Sequence, residues 1–133
     1  MTDQVKLRIL VVDDVEYMRK LVQQFLLRME NVEVVGEASD GEEAIRQVQL
    51  YKPDVTLLDM SMPEISGVDV ARKIKEIHPG SRIYFFSAYD IEDFKNLVKE
   101  MLVEGFIQKA SLKDELLKMV QDELERKRKY GVC

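Results

Sequence analysis

The chain has 133 residues, of which 46% are hydrophobic and 34% charged, and these proportions are those of one globular domain with a single core. A net charge of −5 argues against a protein whose main task is to coat nucleic acid. The only cysteine, Cys133, cannot form an internal disulfide, and no window approaches the roughly 18 apolar residues that a membrane span requires. We therefore expect a cytoplasmic protein that is not inserted in a membrane.

Five short apolar runs alternate with five segments of helical periodicity along the chain. In chain order the runs are Leu7–Val12, Val32–Ala38, 55–58, 83–86 and Gly105–Gln108. The first, third and fourth are almost continuously apolar, as strands buried on both faces are, whereas the second and fifth contain polar residues and belong at sheet edges. With right-handed crossovers, this pattern predicts an α/β fold with a flavodoxin-like, doubly wound, five-stranded parallel sheet of order 2-1-3-4-5 and five helices.

Apolar stripes at helical spacing indicate which helix faces cover the sheet. The first helix has such a stripe at Met18, Leu21, Val22, Phe25 and Met29, and the third at Val70, Ala71, Ile74 and Ile77. Ser39 with Glu42, and Ser111 with Asp114, have the spacing of capping boxes. They predict where the second and fifth helices begin.

The apolar face of the last helix ends near Leu124, which predicts a domain over residues 1–124. Residues 125–133 are either a solvated helix end or the start of a linker. The basic run at 126–129 follows acidic residues and is typical of a solvated helix end, so we expect no direct nucleic-acid binding by this domain.

Three acidic residues stand where two buried strands end. Asp13 and Asp14 follow the first strand, and Asp59 follows residues 55–58. In the predicted strand order these ends lie side by side at the switch point of the sheet, where ligands bind in open α/β folds. Two carboxylates about 4 Å apart repel by roughly 4 kcal/mol at an effective dielectric near 20, so the cluster implies a cation. Oxygen ligands of this kind suit Mg²⁺, with Mn²⁺ as a substitute.

A hydroxyl and an ammonium group are predicted at the same edge of the sheet. Ser87 ends the fourth strand and Lys109 follows the fifth. Both can hold phosphoryl oxygens, and a carboxylate can accept a phosphoryl group when a metal and a cationic side chain neutralise its charge. Asp59 is the best placed candidate for such an acceptor.

From about Leu7 to Leu124 the sequence resembles the receiver domain of two-component response regulators. The matching positions, in chain order, are Asp13 and Asp14, Gly41, Ala44, Pro53, Asp54, Asp59, Met62, Pro63, Gly67, Ser87, Ala88 and Lys109. The family usually has Lys-Pro where this chain has Lys109 and Ala110, and a cis peptide bond is costly without proline. Ser61 and Tyr89 occupy positions that tune phosphoryl hydrolysis in the family.

The resemblance implies a role for each matching site residue. Asp59 accepts the phosphoryl group, and Asp13, Asp14, Asp59 and the backbone carbonyl of Ser61 hold Mg²⁺. Phosphate-binding contacts are implied for Ser61, Ala88 and Lys109. Ser87 and Phe106 are implied as switch residues that reshape the surface of the fourth helix, fifth strand and fifth helix.

The implied function is a phosphorylation-dependent signalling switch. A sensor histidine kinase or phosphotransfer protein donates the phosphate, and the altered surface controls an output partner or domain. We expect no enzymatic activity beyond promotion of the domain's own phosphorylation and dephosphorylation. A phosphorylation-dependent dimer is left open.

Three other functions are weighed against this one. The first is a receiver-like module that signals without phosphorylation. A metal-dependent phosphatase with an aspartyl nucleophile is disfavoured because the usual acid two residues after the nucleophile is replaced by Ser61 after Asp59 and by Val15 after Asp13. A flavin binder is disfavoured because the loop after the first strand carries carboxylates instead of the Gly, Ser or Thr that would hold a phosphate.

Overall fold

The computed structural model describes residues 4–60, 62, 66–87, 100 and 103–131. Several sequence predictions fall outside these residues. They concern Ser61, Pro63, Ala88, Tyr89 and Cys133. The fourth of the five predicted helices, expected between the fourth and fifth strands, also lies outside the described residues. None of the described helices is both long and apolar enough to cross a bilayer.

A single parallel sheet with helices on both faces forms the described structure. Its strands are β1 (Leu7–Val12), β2 (Val32–Ala38), β3 (Val55–Asp59), β4 (Arg82–Ser87) and β5 (Gly105–Gln108). The described helices are α1 (Glu16–Leu27), α2 (Gly41–Tyr51), α3 (Gly67–Ile77) and α4 (Leu112–Tyr130), with a 3₁₀ turn at Lys109–Ser111. The strand order is β2-β1-β3-β4-β5, which confirms the predicted fold class and the placement of β2 and β5 at the edges.

Alternate side chains of the central strands fill two separate cores, one on each face of the sheet. Ile9 and Val11 face α1 and α4, while Leu10 and Val12 face α2 and α3. The predicted stripes of α1 and α3 supply the matching helix faces. Burial on both faces explains why the sequences of β1 and β3 are continuous apolar runs. The packing also holds these two strands in place, and with them the strand ends that carry the acidic residues.

The capping-box prediction was wrong for α2, and for α4 it gave the right start but not the right side-chain contact. Asp40, not Ser39, caps α2: its backbone is extended and its carboxylate accepts the Glu43 N–H at 2.8 Å. Ser111 stands at the start of α4 but makes no side-chain cap, because it closes a 3₁₀ turn and its hydroxyl donates to the Glu115 carboxylate at 2.8 Å.

The last helix continues past the final core residue. Leu124 is buried, and α4 then runs on to Tyr130. The interpretation of the basic run as solvated was wrong for Lys127, whose side chain is 14% exposed. Its ammonium donates to the Asp54 carboxylate at 2.7 Å and to the Lys6 carbonyl at 2.6 Å. These contacts attach the end of α4 to the residues that precede β3 and β1. The domain boundary at residue 124 stays a prediction.

Candidate functional site

The carboxylates of Asp13, Asp14 and Asp59 come together at the carboxyl edge of the sheet. Asp59 ends β3, and the other two follow β1, whose Val12 pairs with Leu58 of β3. One carboxylate oxygen from each residue lies within 4.8 Å of the other two. Asp13 and Asp59 are buried, and Asp14 is exposed. The structure therefore brings together the three acidic residues that the sequence singled out.

Lys109 reaches into this acidic cluster from the 3₁₀ turn after β5. Its ammonium nitrogen lies 3.7 Å from Asp13 Oδ2 and 3.7 Å from Asp59 Oδ1. These distances are those of ion pairs, longer than a direct hydrogen bond. The described residues contain no cis peptide bond, so Lys109 and Ala110 are joined in trans. One cation thus faces the two buried carboxylates.

Asp13 is the electrostatically strained member of the cluster. Its Oδ1 accepts the Val15 N–H at 2.9 Å, but its buried Oδ2 has no hydrogen-bond partner among the described residues. Burial raises the pKa of Asp13 to about 6, and the Asp59 charge adds to this, while the Val15 N–H and Lys109 oppose it. An unsatisfied buried carboxylate oxygen beside two further carboxylates fits a hard divalent cation such as Mg²⁺.

Of the remaining predicted site residues, the structure describes Ser87 and Phe106. Ser87 is buried at the end of β4, next to Phe86, which pairs with Asp59. Phe106 of β5 is partly buried, and its ring packs on Phe85 with 5.9 Å between the centroids. Ser61 and Ala88 are among the residues that the structure does not describe.

Gly67 allows the start of α3 to pack directly against the end of β3. A Cβ at this position would lie 2.9 Å from the Asp59 carbonyl oxygen and 2.9 Å from the Met60 Cα. Both neighbours are backbone atoms, which cannot move aside without displacing the strand end. Glycine at this position therefore protects the placement of Asp59.

Two residues near the site were missed by sequence reasoning. Arg19 of α1 donates to the Asp13 carbonyl at 2.8 Å and also to the Glu37 carboxylate of β2 at 2.8 Å. The sequence offers no spacing rule for this contact, because it depends on how α1 packs over β1 and β2. The two residues extend the site beyond the strand ends.

Comparison with known proteins gives consistent matches. The profile of the response regulator receiver domain matches residues 9–121. Chemotaxis protein CheY of Thermotoga maritima is 35% identical over 104 residues, which are 74% of this chain and 86% of that protein. A protein-glutamate methylesterase/protein-glutamine glutaminase of Bacillus subtilis is 49% identical over 72 residues, 54% of this chain but only 20% of that longer protein.

The solved structures agree with the sequence matches. The signal receiver domain of NarL from Mycobacterium tuberculosis superposes with a TM-score of 0.81 at 33% identity, covering 91% of this chain and 98% of that one. Both the sequence and the fold therefore match across most of the chain, and the matched residues include the three aspartates of the acidic cluster. The chain belongs to the receiver domains of response regulators, the phosphorylation-dependent switches of two-component signalling.

Proposed function

We propose that Asp59 is the phosphoacceptor of this domain. The observation that carries the proposal is the placement of its buried carboxylate, grouped with those of Asp13 and Asp14 and 3.7 Å from the Lys109 ammonium. A carboxylate oxygen of Asp59 attacks the phosphorus of a phosphohistidine. The P–N bond breaks, its electron pair stays on the imidazole nitrogen, and an acyl phosphate forms on Asp59.

Asp13, Asp14 and Asp59, with the backbone carbonyl of Ser61, are proposed to hold Mg²⁺. Receiver domains bind Mg²⁺ at an acidic pocket, and the unsatisfied buried Oδ2 of Asp13 supports the same assignment here. The cation, when bound, neutralises charge on the transferred group. Mn²⁺ has the same preference for oxygen ligands and is the expected substitute.

Lys109, Ser87 and Ala88 are proposed to bind the new phosphoryl oxygens, together with Ser61. Lys109 exchanges its ion pairs with the carboxylates for one with the phosphoryl group, and the Ser87 hydroxyl donates to it. Phe106 of β5 is partly buried and packs on Phe85, so its reorientation would change the surface around β5. In this way a phosphoryl group added at Asp59 would change a surface of the domain away from the site.

Receiver domains work with histidine kinases or phosphotransfer proteins and with output domains, and we propose both kinds of partner for this chain. The chain itself is proposed to catalyse only its own phosphorylation and dephosphorylation. No direct contact with nucleic acid is assigned to it, and any dimer would depend on phosphorylation.

Intact-mass spectrometry after incubation with acetyl phosphate tests the proposal. Wild type should gain one phosphoryl group only when Mg²⁺ is present, and Asp59→Asn should gain none. Asp114→Asn, at an exposed position of α4, is the matched control and should behave as wild type. A gain that persists in Asp59→Asn would reject the assignment. If wild type shows no gain, beryllofluoride binding would indicate a short-lived acyl phosphate, and no beryllofluoride binding would favour signalling without phosphorylation.

A further inference from the structure

We propose that Arg19 and Glu37 are positioning residues for the acidic site. They act by fixing the peptide group that joins Asp13 to Asp14. This inference rests on the proposed function, because it takes those two aspartates to be the residues that hold the cation.

The contact is made to the backbone of the site, not to its side chains. The Arg19 guanidinium donates from one terminal nitrogen to the Asp13 carbonyl at 2.8 Å. That carbonyl belongs to the peptide bond between Asp13 and Asp14, so its orientation sets the direction in which both side chains leave the backbone. The Asp13 N–H is held separately by the Ala38 carbonyl at 3.1 Å. Arg19 therefore supplies the second fixed point of the segment.

Glu37 holds Arg19 in the orientation that this contact needs. Its carboxylate accepts from Arg19 Nε at 2.8 Å, and the Arg19 side chain is only 13% exposed. Gln23 donates to the same carboxylate at 3.0 Å. A planar guanidinium that donates hydrogen bonds from two of its nitrogens has little remaining conformational freedom. A lysine ammonium lacks this planar, two-point geometry and could not hold the Asp13 carbonyl in the same way.

The electrostatics of Glu37 agree with this role. Hydrogen bonds from Arg19 and then Gln23 lower the pKa of Glu37 to about 2 against a smaller effect of burial. The carboxylate is therefore ionised throughout the physiological range, and the pair with Arg19 is permanent there.

Glu37 is itself fixed on the sheet. Gln47 of α2 donates to the Glu37 carbonyl at 2.6 Å. To do so its side chain crosses Gly36, where a Cβ would collide with the Gln47 amide. Gly36 also follows the register shift between β1 and β2, which turns Glu37 toward α1. The chain of hydrogen bonds thus connects α2, β2 and α1 to the loop that carries the two aspartates.

A positioning role and a charge role predict opposite results for the same variant. Removal of the Arg19 charge near three carboxylates would, by Coulomb's law alone, tighten cation binding. Loss of positioning would weaken it, since residues that orient metal ligands typically contribute 10- to 100-fold in affinity. The sign of the change separates the two explanations.

The experiment measures Mn²⁺ binding to the full chain by the electron paramagnetic resonance signal of the free ion. Arg19→Met should weaken binding about 10-fold, and Arg19→Lys and Glu37→Gln should weaken it by at least about 3-fold. Lys20→Met is the matched control. Lys20 also pairs with Glu37, at 3.4 Å, but its side chain is 56% exposed, and this change should alter affinity by less than about 2-fold.

Each outcome decides a different point. Arg19→Met that binds Mn²⁺ as tightly as wild type, or more tightly, overturns the positioning role. Circular dichroism confirms folding, and if Arg19→Met does not fold, unchanged affinity in Glu37→Gln and Arg19→Lys overturns it instead. If wild type itself binds no Mn²⁺ and gains no phosphoryl group, it is the proposed function that fails.

Discussion

Replacement of Asp13 by asparagine should stabilise the metal-free protein. Asparagine keeps an oxygen that can accept the Val15 N–H but removes a buried negative charge next to Asp59. The substitution therefore mimics the protonated aspartate, which is the form that the metal-free fold favours. Most substitutions of a buried polar residue destabilise, so the sign of this prediction is unusual.

The size of the effect follows from the raised pKa of Asp13. Its rise from 3.8 to about 6 corresponds to about 3 kcal/mol at neutral pH, because one pKa unit is about 1.4 kcal/mol. The folded-state value lies above the unfolded one, so the native state binds more protons between them and stability falls as pH rises through that window. We expect Asp13→Asn to be more stable by about 1 to 3 kcal/mol at about pH 7.5, and by roughly half as much near pH 5.

Urea unfolding followed by circular dichroism in the presence of a chelator measures this difference. Asp14→Asn is the control, because Asp14 is exposed and its loss should change stability by less than about 0.5 kcal/mol. Mg²⁺ at about tenfold over its dissociation constant should add about 1.4 kcal/mol to wild type and little to Asp13→Asn. Equal or lower stability of the variant in chelator, or a gap that does not shrink near pH 5, would refute the reasoning.

Three further predictions concern the stability of the fold. Gly67→Ala should lower stability by about 1 to 3 kcal/mol in urea unfolding and slow phosphorylation, because the new Cβ meets backbone at the end of β3; wild-type values for both would contradict the packing. Lys127→Met should lower stability by about 2 kcal/mol, because it leaves the buried Asp54 without its cation, and a loss no larger than that of an exposed lysine in the same helix would count against this ion pair. Burial, followed by the contact with Glu123, raises the pKa of Tyr84, so its phenol should resist ionisation in an ultraviolet titration and stability should fall as pH rises above about 10. Glu123→Gln should move the Tyr84 transition toward lower pH, and an unmoved transition would show that the carboxylate contributes nothing.

The fold could be predicted from the sequence because burial on both faces leaves a direct trace in composition. Val55 to Leu58 are all buried, and that stretch was placed as a central strand for that reason. The stripe of α3 likewise matches its buried residues Val70, Ala71 and Ile74. Periodicity is a local property, and the positions it marks are those that the core needs.

The acidic site could be predicted for a related reason. Asp13 and Asp59 directly follow apolar strands, and parallel strands bring their carboxyl ends to one edge. Lys109 was predicted at the same edge because it directly follows the fifth strand, but its contacts with both carboxylates depend on the turn after β5. Local sequence alone does not specify that turn.

Ion pairs between a helix and a distant part of the chain could not be predicted. The pairs of Arg19 with Glu37 and of Lys127 with Asp54 join residues 18 and 73 positions apart. Each pair depends on how a helix is rotated about its axis where it packs on the sheet. In the sequence, a charged residue that forms such a pair has the same spacing from the apolar residues as a charged residue that faces solvent. The prediction of the α2 cap was wrong by one residue, because Ser39 and Asp40 are both residue types that cap helices well. The helix begins after Asp40, so Asp40 is the residue that caps it.

The most direct test of the central claim is to locate the phosphoryl group on the chain. Phosphorylated wild type is reduced with borohydride, which converts an aspartyl phosphate to homoserine, and the peptides are then sequenced by mass spectrometry. The account predicts homoserine at position 59 and at no other aspartate. Homoserine at position 13 or 14, or a phosphoryl group that survives reduction on a serine or on His78, would contradict it.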